Sequence, residues 1–227
     1  MAVQGAVLDG ELLARIGARP LTRAGERLLP VHDDLAALLP FGGLRRGTVI
    51  EVDEVSLLCA FLSSGSASGS WSAVVGAPSF GIVAAAELGV VLERTAFVSK
   101  PPADLAPTVV AALVDALDFV VIGTGVIVRP VDARRLTARA RERGGVLFSL
   151  GPWPDAVDLR ARVAAYRWEG IGSGCGHLQT CSVEVVVEGR GAATRARRGC
   201  LQLLGRPEEP SVDSKRADDL RIAREAG

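Results

Sequence analysis

The sequence predicts an α/β fold: a mainly parallel sheet flanked by helices, with an antiparallel C-terminal extension. Three observations carry that prediction. Between residues 48 and 150, short apolar runs alternate with stretches of helical spacing, the pattern of a parallel sheet with crossover helices. Phe119-Val120-Val121-Ile122 is a continuous apolar run, as expected of a central strand covered on both faces. Beyond Pro154, three segments of period two follow one another with no helix between them, which suits antiparallel pairing. The chain has 227 residues, the size of one mid-sized domain with appended ends.

Taken in order, residues 1–28 read as an N-terminal helix and linker. Leu12, Leu13 and Ile16 share one helical face, and a polar link over 19–27 follows. Residues 29–205 form the core domain. It opens with a short helix over 33–39, ended by Pro40. A strand over 48–52 leads to a helix over 56–62. The serine- and glycine-rich run at 63–70 reads as a flexible loop. A strand at 72–75, a helix at 82–92 and a strand at 96–98 come next. Pro107 then starts a helix whose Val110, Leu113, Val114 and Leu117 fall on one stripe. After the apolar strand at 119–122 the spacing predicts a helix over 132–143 and a last parallel strand at 146–150. Segments 159–168, 178–187 and 199–204 make the extension, whose terminal strand is expected to leave an unpaired edge or an uncovered apolar face. Residues 206–227 are a polar C-terminal tail with room for a short helix at 213–225.

Composition narrows the function. Apolar residues are 48% of the chain and charged residues 23%, enough apolar side chain to offset the entropy of ordering. Lys+Arg and Asp+Glu number 26 each, which removes a protein-wide electrostatic case for nucleic acid. Aromatics at 4% deny a platform for stacking several bases. The N-terminus has no basic region ahead of an apolar one, and the longest apolar stretch, at 82–92, is interrupted by Glu87. Neither a signal peptide nor a membrane span is expected. Cys59, Cys175, Cys181 and Cys200 are scattered and read as reduced thiols of a cytoplasmic protein.

The sequence carries no catalytic pattern where this fold would place one. A phosphate loop must join a strand end to a helix start, where backbone N–H groups and the helix dipole hold the anion. After Val52 the chain reads Asp53-Glu54-Val55-Ser56, with no glycine, no lysine and two carboxylates. A magnesium-holding acid would follow the apolar strand, but Gly123-Thr124-Gly125 stands there. Cys175, His177, Cys181 and Cys200 match no common zinc spacing. Only His32 and His177 are available for a nucleophile–base pair, and no Gly-x-Ser-x-Gly elbow exists. The expectation is no catalytic, cofactor-binding or metal-binding residue.

Charge is unevenly spread. Residues 48–93 carry five acids and no base. Arg134, Arg135, Arg139, Arg141 and Arg143 crowd one helix, and Arg190, Arg195, Arg197 and Arg198 lie together near the C-terminal strand. Solvated faces explain such runs; a patch meeting an acidic protein surface or a nucleic-acid backbone is the sharper reading.

The run Leu39-Pro40-Phe41-Gly42-Gly43-Leu44-Arg45-Arg46-Gly47-Thr48-Val49-Ile50-Glu51-Val52 resembles the opening of a RecA-type core. The segments at 84–89, 92–98, 118–122 and 133–145 follow in the same order, so the likeness spans roughly residues 29–204. Within that superfamily the chain most resembles the ImuA family, in its shortened actinobacterial ImuA′ form. Residues 167–172 and the Arg190-Gly191-Ala192-Ala193 turn are also similar to that group.

The resemblance implies a RecA-like core and a non-catalytic accessory or scaffold role in a damage-induced translesion synthesis complex. The implied partners are an ImuB-like Y-family polymerase homologue and, indirectly, an error-prone C-family DNA polymerase. DNA contact would be weak or indirect, and no membrane is involved. The rivals are a SulA-like cell-division inhibitor and a weak RecA-like ATPase with a degenerate nucleotide loop. Arg195, Arg197, Arg198, Leu201, Leu203, Leu220 and Ile222 are the expected partner contacts, and Arg134, Arg135 and Arg139 the expected phosphate contacts.

Overall fold

The computed structural model describes residues 28–171 and 176–204. The helix expected at 7–17, the tail at 206–227 and its Leu220 and Ile222 lie outside the described residues. Among the described residues ten strands form two sheets. β1 (Leu28–Leu29) and β2 (Leu44–Arg45) pair as a small antiparallel ladder. The other eight strands are β3 (Val49–Val52), β4 (Ser72–Val75), β5 (Thr95–Val98), β6 (Phe119–Ile122), β7 (Val146–Leu150), β8 (Leu159–Ile171), β9 (Gly176–Gly189) and β10 (Arg197–Leu204). They lie in the order β10-β9-β8-β3-β7-β6-β4-β5. Pairing is parallel from β8 through to β5 and antiparallel across β8-β9-β10.

Period-two patterning splits the apolar side chains between the faces. Ile50, Val52, Val74, Phe119, Val121, Val146 and Phe148 join the core packed under α2 (Val55–Ala67) and α3 (Ile82–Glu87). Val49, Ala73, Val75, Val120, Ile122 and Leu147 face α4 (Ala106–Ala116) and α5 (Pro130–Arg143), together with Trp153. Both faces of the central parallel strands β3, β4, β6 and β7 are therefore covered, which is why their sequences run mostly apolar.

Two expectations are corrected. The serine- and glycine-rich run is not a flexible loop: α2 continues through Ala67. Two of the serine hydroxyls satisfy themselves within the helix, Ser63 donating to the Ala60 carbonyl at 3.1 Å and Ser66 to that of Ser63 at 2.9 Å. Ser66 Oγ also accepts the Val91 N–H at 3.1 Å. Gly65 lets the Phe119 ring approach so closely that a β-carbon there would stand 2.5 Å from Cε2. Tertiary packing overrides local propensity here. The helix expected at 82–92 is also shorter: α3 stops at Glu87, and a 3-10 turn occupies Leu92–Arg94.

β10 ends the sheet with no further strand on its outer side among the described residues, the unpaired edge expected, but that edge is partly covered. α1 (Asp33–Ala36) and the turn behind it lie against β10. Asp34 Oδ2 accepts the Gln202 N–H at 3.2 Å, Arg197 donates to the Leu39 carbonyl at 3.0 Å, and Leu38 fills the space over Gly199. At the far side of the sheet β5 ends the order with no further strand among the described residues.

Candidate functional site

In parallel α/β sheets ligands gather beyond the C-terminal strand ends. In this fold β3 ends at Val52 and α2 starts at Val55, so Asp53 and Glu54 are the whole connection. Two residues cannot wrap a phosphate. Asp53 Oδ1 accepts the Val163 N–H at 3.2 Å, fixing β8 to the end of β3. Glu54 is the N-cap residue of α2 in extended conformation and makes no side-chain cap bond. Glu51 holds the neighbouring segment: Oε2 accepts the Trp153 N–H at 3.1 Å and Oε1 accepts from Arg160 Nε at 3.3 Å. The Trp153 indole donates to Thr137 Oγ1 at 3.2 Å, so the short stretch after β7 is pinned to α5. Of the three acids at this sheet end, Glu51 and Asp53 hold the fold in place.

The position after β6 is closed by geometry. A β-carbon at residue 123 would lie 2.4 Å from both Ala77 Cα and the Gly76 carbonyl oxygen. The Gly125 N–H donates to that same carbonyl at 2.7 Å. No side chain fits there, a carboxylate included. The cleft between the ends of β6 and β7 has a volume of about 310 Å³, and its lining, from Gly123 and Thr124 to Ser149 and Trp153, contains no ionisable group. It offers no acid, base or metal ligand.

The expected phosphate contacts divide. Arg134 and Arg135 are exposed on α5. Arg139 Nε instead donates to Asp115 Oδ1 at 2.6 Å, and Arg143 lies 3.3 Å from the same oxygen. The Arg139 guanidinium holds the Asp115 carboxyl below the usual carboxylate range, and Asp115 raises Arg139 in return. Arg139 is therefore a clasp between α4 and α5.

Among the expected partner contacts Arg195 is exposed, Arg198 pairs with Glu184 across the ladder at 3.1 Å, and Arg197 is spent on the Leu39 carbonyl. Leu201 is a correction: at 0% exposure it belongs to the core, because its side chain faces α1 beside Val183. Leu203 is half-buried against that core. Tyr166 and Trp168 on β8 are not among the expected contacts, yet they form an exposed aromatic pair. Their rings stack at 6.4 Å and 11°, with 44% and 50% exposure. Two aromatics two residues apart on a strand share a face, a signal present in the sequence.

Of the cysteines, Cys181 faces the core beside Val183 and Cys200 is exposed on the opposite face, so the ladder holds them apart. Burial pushes the Cys59 thiol up to about 12 and raises Cys181 as well. Among the described residues no group of three His, Cys, Asp or Glu side chains converges as metal ligands do.

A family model described as the MT3502 N-terminal domain matches residues 37–155, just over half of the chain. The Mycobacterium tuberculosis protein Rv3395c is 41% identical over 115 residues, covering 49% of this chain and 55% of that protein. The chain thus spans about half the length of the curated relative it matches. Among solved structures, the flagellar accessory protein FlaH from Methanocaldococcus jannaschii superposes with a TM-score of 0.50, over 78% of this chain and 94% of FlaH. At 9% identity that likeness concerns the fold alone, which is RecA-like in both.

Proposed function

The chain belongs to the MT3502 N-terminal domain family and has a RecA-like fold, and we propose that it is a non-catalytic scaffold protein of a damage-induced translesion synthesis complex. The observation that carries the non-catalytic part is the two-residue junction Asp53-Glu54, where a nucleotide-binding relative needs a glycine-rich loop and a lysine. The closed position at Gly123 supports it from the next strand but one. The translesion assignment rests on the resemblance of the ordered blocks over residues 29–204 to the ImuA family. The partner is an ImuB-like Y-family polymerase homologue, with the error-prone C-family polymerase reached through it, and any DNA contact is weak. The exposed pair Tyr166–Trp168 and the exposed Arg195 favour the antiparallel extension as the partner face.

The test is capture of purified ImuB-like protein by the full chain, with Mg-ATP calorimetry run in parallel. Capture, weakened at least tenfold by joint Tyr166→Ala and Trp168→Ala substitution, is the expected result. Capture of the division GTPase instead would assign the SulA-like role. A saturable heat signal with Mg-ATP below millimolar concentration would overturn the non-catalytic reading. Helices of the described residues include none long and apolar enough to cross a membrane.

A further inference from the structure

The opposite end of the sheet, where β3 begins, holds a cleft of about 360 Å³ that neither the translesion reading nor the strand-end comparison uses. Four arginines line it: Arg45 at the end of β2, Arg46 in the turn to β3, Arg141 in the last turn of α5 and Arg190 after β9. The chain builds this convergence deliberately close. Gly47, at φ +79°, leaves only 3.0 Å between a would-be β-carbon and the Arg141 Cα. At Gly189 a β-carbon would fall 2.0 Å from the Asp158 carbonyl oxygen, and the Arg190 N–H donates to that oxygen at 3.0 Å. Glycine alone permits either approach.

The carboxylates nearby are already spent. Asp158 gives one oxygen to the Val49 N–H at 2.9 Å and the other to Arg141 at 3.2 Å. Asp118 takes Arg46 at 2.8 Å and the Trp71 N–H at 3.1 Å. Arg190 also borders a smaller hollow with Asp155 and Glu188, but Glu188 pairs with Arg162 at 2.6 Å. Among the described residues neither Arg45 nor Arg190 has a carboxylate within salt-bridge distance. The Arg45 guanidinium lies 5.0 Å above the centroid of the exposed Phe41 ring, which orients it while its in-plane N–H groups stay free to donate. Beside the arginines the wall carries Thr48, whose hydroxyl donates to the Arg45 carbonyl at 2.6 Å, and the already paired Asp158, while Pro40, Phe41, Leu159, Ala192 and Ala193 give it an apolar side.

We propose that this cleft binds a short acidic peptide segment of a partner protein, its carboxylates on Arg45 and Arg190 and a neighbouring apolar side chain against Phe41, Pro40 and Ala192. Two free guanidinium forks beside an apolar wall match that combination. A nucleic-acid strand matches it less well. The cations converge on one cleft instead of tracking along a groove, and the chain has no net charge to draw a polyanion. The proposal stands whether or not the partner is a polymerase.

The experiment uses an array of ten-residue peptides of varied charge, probed with the full chain and with the double variant Arg45→Glu, Arg190→Glu. Both side chains are exposed, and matching melting transitions verify that the variant is folded. The expected outcome is selection of peptides with two or more Asp or Glu next to Leu, Phe or Trp. Their affinity should fall at least tenfold in the double variant, severalfold in Phe41→Ala and severalfold when salt is raised from 0.1 to 0.5 M. Selection of neutral or basic peptides would overturn the proposal, as would equal binding by the double variant. So would displacement of the selected peptides by a twenty-residue oligothymidylate at lower concentration than by free peptide, since that assigns the cleft to nucleic acid.

Discussion

Asp34 and Gln202 are 168 residues apart in sequence, yet the Asp34 carboxylate accepts the Gln202 backbone N–H at 3.2 Å. That bond closes part of the outward edge of β10 with a group from the beginning of the core domain. Exposed strand edges are templates for unwanted pairing, and a charged group set against the edge is one way of blunting them.

Asp34→Ala should lower stability by about 1 kcal/mol, the usual net cost of one lost hydrogen bond. Asp34→Asn, which keeps an acceptor, should recover most of that. Urea unfolding followed by circular dichroism measures both. Equal midpoints for the wild type and Asp34→Ala would mean that α1 covers β10 without holding it.

Gly65→Ala should cost more, about 1–3 kcal/mol as overpacking of a filled core. Its β-carbon would meet Cε2 of Phe119 at 2.5 Å, and that ring is fully buried with its centroid 6.0 Å from that of Phe148. Ser64→Ala, one residue earlier, serves as the control and should change stability little. If alanine at 65 stabilises the protein through helix propensity alone, the ring has room that the structure does not show.

The Asp115–Arg139 clasp predicts an acid-sensitive contribution. Because the folded-state carboxyl is held below its ordinary value, its contribution is fully present above the unfolded carboxylate range near pH 4. It is lost as pH falls through the lower folded value. With side chains 29% and 43% exposed, solvent keeps the gain below about 1 kcal/mol. Stability of Asp115→Asn relative to wild type should therefore be lower at pH 7, and the gap should narrow as pH falls below about 4. Parallel pH profiles for the two proteins would contradict the assignment.

Thiol chemistry should separate the cysteines. Iodoacetamide at pH 8 should modify Cys200, which is exposed, within minutes in the native protein. Cys59 should stay unmodified for hours, since burial holds its thiol at about 12 and few thiolates form. Cys181, buried and also raised, should follow Cys59. Peptide mass mapping reads each site separately; rapid labelling of Cys59 would show that α2 opens on that timescale.

The parallel half of the fold was legible because its physics is local. Four-residue apolar strands and stripes such as Val110, Leu113 and Val114 state their own burial. The serine-rich half of α2 was not, because its helicity depends on Phe119 lying against Gly65, more than fifty residues on. The cover on β10 was hidden for the same reason: an acid in a short helix gives no sign that it will meet a strand 168 residues later. At the candidate site the missing glycine loop and lysine after Val52 could be read directly, whereas the lack of room at residue 123 depends on the fold of Gly76 and Ala77. The four arginines of the basic cleft come from four separate elements, and only assembly brings them together.

The placement of β3 also sets an order of events for the growing chain. Its partners are Leu147–Leu150 on one side and Leu159–Ala161 on the other, about a hundred residues downstream. Such distant pairings are slow to form, because a long loop must close before any contact rewards it. The first long-sheet strand to leave the ribosome is thus among the last to be enclosed, and Val49, Ile50 and Val52 wait unpaired through most of synthesis. Ribosomes paused before residue 150 would carry a chain with its middle strand exposed, the kind of nascent species that chaperones shield.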